Sequence, residues 1–268
     1  MSTSKPNSPS PSQAVPDLGQ LFQSAHQDGV LSGASMQVLT VADLGAQIQA
    51  GLGVGALNVQ ASEVVLVALM PDDSGSIRFS GNTEVVRQGH NMVLESLRGA
   101  RQSDTILVHT RYLNGEVLNP FCPLDAAQAM DRQNYNPSLG TPLYDQAVTL
   151  LGTMIAKAQE FMDQGVMVRT VTLLITDGSD QHSCRQKARD VAKLVRDMEA
   201  SECHTVAAMG IADGSTDFRQ VFREMGIRDQ WMLTPGKQAR EIRRAFQVFS
   251  QSAVQVSQGK GNLGGFMG

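Results

Sequence analysis

Three short segments of the chain contain the oxygen-bearing side chains that a hard metal cation requires. Asp72, Ser74 and Ser76 follow the apolar run VVLVALM after a single proline, and Asp177 directly follows the apolar run TVTLLIT. Thr141 lies between them, just before an amphipathic pattern. Carboxylates and hydroxyls are hard ligands, and a cation such as Mg²⁺ binds about six oxygens near 2.1 Å. These residue types therefore predict a divalent-cation site.

The pattern around these residues predicts a sheet that brings them together. Continuous apolar runs are typical of parallel strands buried on both faces, and amphipathic patterns separate them. The carboxyl ends of parallel strands meet at one edge, where open α/β sheets bind ligands. The predicted fold class is α/β: a Rossmann-like, doubly wound, mostly parallel sheet with helices on both faces. The predicted strands are Glu63–Met70, Thr105–Thr110, Val168–Ile175, Thr205–Ile211 and Gln230–Leu233, with a short edge strand at Glu116–Pro120; the predicted helices are Thr83–Arg98, Pro142–Asp163, Ser183–Ala200, Asp217–Met225 and Gln238–Gln251, after two short ones within Asp17–Gln49.

The three-part pattern resembles the metal-ion-dependent adhesion site (MIDAS) of von Willebrand factor A (vWA) domains, and the resemblance covers residues 62–250. It implies that Ser74 and Ser76 bind the metal directly and that Thr141 binds it directly or through water. It implies that Asp72 and Asp177 hold coordinated waters. The cation that it implies is Mg²⁺, with Mn²⁺ or Ca²⁺ as substitutes, and the open metal position takes an Asp or Glu of a partner protein.

The function implied by this resemblance is that of a non-enzymatic protein-binding module. The sequence is most similar to intracellular prokaryotic vWA proteins of the tellurite-resistance-associated and MoxR-ATPase-associated types, which implies an AAA+ ATPase or a signalling enzyme as partner. Two alternatives stay open: a metal-dependent phosphoester hydrolase, and a structural subunit with a vestigial metal site. The motif loops contain neither a lysine nor a histidine, which argues against the hydrolase.

Composition excludes several classes of partner. A formal net charge of -4 leaves no broad basic surface, so we expect no binding to nucleic acid. No segment reaches the roughly 18 apolar residues that a membrane span requires, so we expect no membrane association. The three cysteines are widely spaced and odd in number, which indicates reduced thiols, and a cytoplasmic location is expected.

Four regions are predicted along the chain. Residues 1–16 are rich in Ser and Pro and predict a disordered leader. Residues 17–61 form an N-terminal helical extension, with the glycine-rich stretch at 51–55 interpreted as a linker to the domain. Residues 62–256 form the vWA domain, and residues 257–268 form a flexible, glycine-rich tail.

Three further features of the sequence lead to expectations. His182 and Cys184 follow one predicted strand, whereas Cys203 and His204 precede the next, so the two pairs belong at opposite sheet edges and do not predict a zinc site. Asp73 and Asp180 add negative charge near the predicted cation, which raises cation affinity and disfavours an acidic partner. Pro71 lacks an N–H, which puts the last pairing of its strand in doubt.

Overall fold

Six strands form one sheet in the part of the chain that the computed structural model describes, residues 17–41, 43–101, 103–259 and 265–266. The strand order is β3-β2-β1-β4-β5-β6, and only β3 is antiparallel to its neighbour. The predicted mostly parallel sheet is therefore confirmed. The strands are β1 (Glu63–Met70), β2 (Ile106–Arg111), β3 (Val117–Pro123), β4 (Met167–Thr176), β5 (His204–Gly210) and β6 (Met232–Leu233).

The two central strands have the composition that burial on both faces requires. Val64 to Met70 of β1 are all buried, and so are the last seven residues of β4. The two strands pair in register from Glu63 with Met167 to Met70 with Leu174. Pro71 lies just beyond the last of these pairs, so its missing N–H removes no bond between β1 and β4. Its carbonyl instead accepts a hydrogen bond from the N–H of Leu113.

Helices cover both faces of the sheet, as predicted. α5 packs against α9, and α6 packs against α7. No helix of the described residues is both long enough and apolar enough to cross a bilayer. The α-helices are α1 (Leu18–Gln27), α2 (Gly33–Leu39), α3 (Leu44–Leu52), α4 (Gly75–Phe79), α5 (Thr83–Arg98), α6 (Leu143–Met162), α7 (Ala188–Ala200), α8 (Phe218–Glu224) and α9 (Ala239–Ser257).

The connections reverse direction between β1 and β4. The chain leaves β1 through α5 and enters β2 on one side, whereas it leaves β4 through α7 and enters β5 on the other. A crevice opens where neighbouring strands diverge in this way, outside their carboxyl ends. Asp72 and Asp177 follow these two strands, so the sheet places both carboxylates at this switch point.

The N-terminal helices pack into the same core as the sheet. α1 and α3 contact α6, and α2 contacts α7. Phe22 and Ile48 are buried in this layer, and α6 is consequently buried on nearly every side. The predicted leader, residues 1–16, lies outside the described residues.

Several local expectations differ from the structure. The segment 17–52 forms three helices and not two, because α3 begins after Asp43 and continues through Gly51. The stretch 51–55 is not a free linker, since Gly53 lies against the backbone of Phe121 in β3 so closely that no Cβ atom fits. α4 was not predicted because five residues are too few to show helical periodicity.

The ends of two other helices also differ. α7 begins at Ala188 and not at Ser183, because residues 183–187 form a loop bound by Asp145. α9 continues to Ser257, six residues beyond its predicted end. The structure also describes residues 265 and 266 of the predicted tail. The Phe266 ring packs edge-on against the Trp231 ring, with 5.3 Å between the ring centroids.

We expect the N-terminal helices to unfold together with the sheet. Ile48 is fully buried between α3 and α6, so Ile48→Ala should lower the free energy of unfolding by about 2–4 kcal/mol through lost burial and a cavity. Urea denaturation followed by circular dichroism measures this change. Leu57→Ala is the matched control, because Leu57 is 83% exposed and its truncation should have almost no effect. Two separate transitions, or equal effects of both variants, would show that the helices are an independent unit.

Candidate metal centre

Asp72 is the most tightly held residue of the site. Its side chain is fully buried, and three donors surround its carboxylate. The N–H of Ser74 donates to Oδ1 at 2.7 Å, and the hydroxyl of Thr176 donates to Oδ2 at 2.8 Å. The N–H of Asp177 also donates to Oδ2, at 3.3 Å. The carboxylate after β1 is thereby tied to the end of β4.

The two serines of the motif connect Asp72 to the second carboxylate. The hydroxyl oxygens of Ser74 and Ser76 are 2.8 Å apart, and the Ser76 hydroxyl donates to Asp177 Oδ1 at 2.6 Å. Ser74 and Asp177 are buried, whereas Ser76 is exposed. The sheet has therefore brought together four of the five predicted residues, and Ser76 opens the cluster to the surface.

The fifth predicted residue, Thr141, lies in the loop before α6. This loop is joined to the serine loop by a parallel bridge between Ser74 and Leu139 and by a hydrogen bond from the Gly75 N–H to the Leu139 carbonyl. Thr141 is buried, and its carbonyl accepts the N–H groups of residues 181 and 182. Backbone contacts thus join the loop of Thr141 to the serine loop and to the loop after β4, whereas the contacts among Asp72, Ser74, Ser76 and Asp177 do not include the Thr141 hydroxyl.

His182 is a positioning residue that the sequence did not reveal. Its Nδ1 accepts a hydrogen bond from the Thr141 N–H at 2.9 Å, which fixes the loop that presents Thr141. The imidazole lies so close to Gly140 that a Cβ atom there would be 2.7 Å from Nδ1. A glycine at position 140 is therefore required for this contact. Cys203 and His204 lie at the opposite edge of the sheet, where Thr170 hydrogen-bonds His204, so the argument against a zinc site is consistent with the structure.

Asp145 holds the loop that contains His182. Its carboxylate accepts N–H groups of three consecutive residues, Cys184, Arg185 and Gln186, at 2.7–3.2 Å. Asp180 binds the same loop to the start of α6, because its Oδ1 accepts the Ser183 hydroxyl and the N–H of residue 144. Both carboxylates therefore have a structural function beside the site.

The carboxylates of the site are held in an environment that disfavours their charge. Burial raises the pKa of Asp72, although hydrogen bonds from Ser74 and Thr176 oppose the shift. Burial raises the pKa of Asp177 to about 6, and the neighbouring Asp72 charge adds to the shift. Burial raises the pKa of Asp73 to about 7. Among the described residues, no ion pair joins any of these three to a cationic side chain.

This donor set fits a small divalent cation. Two buried carboxylates and the hydroxyls of Ser74 and Ser76 offer hard oxygens, and a nearby positive charge would relieve the desolvation and mutual repulsion that raise the carboxyl pKa values. Ser74 Oγ and Ser76 Oγ are hydrogen-bonded at 2.8 Å, a separation that also allows both to bind one octahedral cation, whose adjacent ligands at 2.0–2.1 Å are about 2.9 Å apart. Within the described residues, no group of three or more His, Cys, Asp or Glu side chains is arranged to hold a metal ion, so hydroxyl oxygens would have to complete this donor set.

Comparisons with known proteins find similar folds. A scan against protein-family models finds no match, and a search of curated proteins finds none either. The pilus adhesin SpaC from Lactobacillus rhamnosus GG, in its open conformation, matches with a TM-score of 0.53 and 13% identity over 74% of this chain and 30% of SpaC. Proximal thread matrix protein 1 from the mussel byssus matches with a TM-score of 0.50 and 15% identity over 72% of this chain and 46% of that chain.

The chain has the vWA-type fold. The sheet order, the antiparallel edge strand β3 and the helices on both faces form the mostly parallel architecture that the sequence resemblance implied. The match covers less than half of SpaC and less than half of the thread protein, and at these identities it shows the fold alone. The VWA domain of SpRpn10 is a weaker match, with a TM-score of 0.46 and 10% identity over 68% of this chain and 93% of that domain, and adds no argument of its own.

The raised pKa of Asp73 predicts a pH-dependent stability in metal-free protein. The folded state holds this proton more tightly than the unfolded state, so stability is full below the ordinary pKa of 3.8 and is lost as pH rises through about 7. Asp73→Asn retains an acceptor for the Asn114 N–H and removes the charge. In EDTA at about pH 8 we expect this variant to be more stable than the native protein by more than about 1 kcal/mol, with the difference vanishing near pH 4.

Chemical denaturation at a series of pH values measures the difference. Asp125→Asn, which removes a carboxylate exposed to solvent, is the control and should follow the native profile. A variant at Asp73 that is less stable than the native protein at high pH would contradict the assigned burial of this charge.

Proposed function

We propose that this chain is a divalent-cation-dependent protein-binding module that holds an acidic residue of a partner protein at its metal site. Mg²⁺ is the proposed cation, and Mn²⁺ or Ca²⁺ can replace it. The residues proposed to hold the cation are Asp72, Ser74, Ser76, Thr141 and Asp177.

One observation carries this proposal: two buried carboxylates, Asp72 and Asp177, are joined through Ser74 and Ser76, and among the described residues no cationic side chain forms an ion pair with either of them. Asp72 and Asp177 are each less than 5% exposed, and burial of two like charges is unfavourable unless a positive charge compensates them. Ser76 is exposed at the same point, so a ligand from solvent can reach the cluster. A closed structural site would lack this opening.

The chain's own residues have distinct tasks in this proposal. Asp72 orders the loop, since it accepts the Ser74 N–H within the loop and its other two hydrogen bonds, from Thr176 and Asp177, join the ends of β1 and β4. Ser74 and Ser76 present adjacent oxygens, and Asp177 orients the Ser76 hydroxyl. Bound here, a divalent cation supplies a coordination position that a carboxylate of the partner can occupy.

A binding role agrees better with the site than hydrolysis does. The only histidine that contacts the metal-site loops in the described chain is His182, and its Nδ1 already accepts the Thr141 N–H. A general base requires a free acceptor within reach of the attacking group. We propose a cytoplasmic, prokaryotic setting, with an AAA+ ATPase or a signalling enzyme as the class of partner.

We expect Ser76→Ala and Asp177→Asn to weaken Mn²⁺ and Mg²⁺ binding by roughly 10–100-fold, because each removes or misorients an oxygen of the cluster. Isothermal titration calorimetry measures the affinity, and a thermal melt reports the fold. Ser76 is preferred to Asp72 as a test, because Asp72→Ala leaves three donors without an acceptor and destabilises the domain.

Ser138→Ala is the matched control, because Ser138 is exposed on the neighbouring loop. It should bind metal as the native protein does. Unchanged affinity in both Ser76→Ala and Asp177→Asn would refute the site, and absence of metal binding by the native protein would favour a vestigial centre.

The contact between His182 and Thr141 yields a separate expectation. His182→Ala should lower metal affinity, because the loop that presents Thr141 loses the acceptor of its N–H. His182→Asn should restore most of the affinity, since the side-chain carbonyl of Asn can accept the same hydrogen bond. Mn²⁺ titration of the two variants tests this role. If both variants lose the same affinity for Mn²⁺, the hydrogen bond from the Thr141 N–H is not the reason for the effect of His182.

A further inference from the structure

Two large apolar side chains are exposed beside the proposed metal centre. Phe79 is 82% exposed at the end of α4, and Leu139 is 55% exposed in the loop before α6. The other large apolar side chains exposed in the described residues lie elsewhere: Val41 and Leu57 in the N-terminal segment, and Met167 at the start of β4. Single exposed apolar residues are common, whereas these two adjoin the same loop and together expose apolar area beside the proposed centre.

Both residues contact the loop that contains the two serines. The Gly75 N–H donates to the Leu139 carbonyl at 2.9 Å, and Ser74 forms a bridge with Leu139. The Phe79 ring lies near Gly75, so that a Cβ atom there would be 3.4 Å from the ring. Leu139 and Phe79 therefore both adjoin Gly75, which lies between the two serines of the centre.

The charges around the centre differ from one side to the other. Asp180 lies in the loop after β4, and Asp213 lies in the loop after β5. Burial opposes the ionisation of Asp213, but hydrogen bonds from Thr216 and Ser215 lower its pKa well below the usual range. On the α4 side, the Arg78 guanidinium lies 5.1 Å from the centre of the Phe79 ring. An acidic segment is thus repelled from one side and attracted to the other.

We propose that the partner segment bound at this centre carries a large apolar side chain next to its acidic residue, and that Phe79 and Leu139 bind this apolar side chain. The inference rests on the proposed function of the metal centre. The acidic residue alone would be accepted from many proteins, whereas an adjacent apolar contact selects among them. Arg78 orients the segment over α4, because that side has the positive charge.

Short peptides with one carboxylate test the inference. The probes are Gly-Leu-Asp-Leu-Gly, Gly-Gly-Asp-Gly-Gly and Gly-Leu-Asn-Leu-Gly, acetylated and amidated so that the Asp side chain is the only acid. Their dissociation constants are measured by nuclear magnetic resonance titration of the full chain in Mg²⁺ and in EDTA. We expect the leucine-containing Asp peptide to bind about tenfold more tightly than its glycine counterpart in Mg²⁺.

The double variant Phe79→Ser, Leu139→Ser should abolish this preference and leave binding of the glycine peptide unchanged. The control is Leu57→Ser, Met167→Ser, which removes two equally exposed apolar side chains away from the centre and should retain the preference. Equal, Mg²⁺-dependent binding of the two Asp peptides would overturn the apolar contact and leave the proposed function intact. Binding that persists in EDTA, equal binding of the Asn peptide, or no binding of any peptide would overturn both.

Discussion

The structure depends on the parallel pairing of β1 with β4. Their register, from Glu63 with Met167 to Met70 with Leu174, makes the two strands end side by side. The chain then turns away in opposite directions, and Asp72 and Asp177 are left side by side at the carboxyl edge of the sheet. Hydrogen bonds from Thr176 and Asp177 to Asp72 couple the two strand ends directly. A shift in this register would move Asp72 away from Asp177, so the motif residues would no longer be in contact.

The helices that pack on α6 fix the position of the loop that contains Thr141. α6 begins two residues after Thr141, and it is buried against the sheet on one side and against α1 and α3 on the other. A helix held on both sides gives a rigid support to the loop at its start. Asp145 in the first turn of α6 then binds the loop of His182, so that the position of Thr141 is set from two directions.

The surface of the centre combines opposing features. Buried carboxylates attract a cation, and the acids in the loops after β4 and β5 leave negative charge on one side of it. Phe79, Leu139 and Arg78 provide apolar area and positive charge on the other side. Charge alone selects a cation and orients an approaching group, whereas contact area supplies most of the discrimination between one acidic segment and another.

The sequence by itself determined the strands that are long and continuously apolar, their alternation with the longer helices, and the four motif residues Asp72, Ser74, Ser76 and Asp177 that meet at the sheet edge. These features follow from local periodicity and from short spacings, which one segment carries alone. The tertiary structure decided the rest. The contact of His182 with Thr141 joins loops 41 residues apart, the three N–H groups on Asp145 belong to a loop without periodicity, and α4 is too short to have a pattern. The burial that raises the pKa of Asp73 and Asp177 and the exposure of Phe79 and Leu139 depend on which distant segments cover them, and no local spacing encodes that coverage.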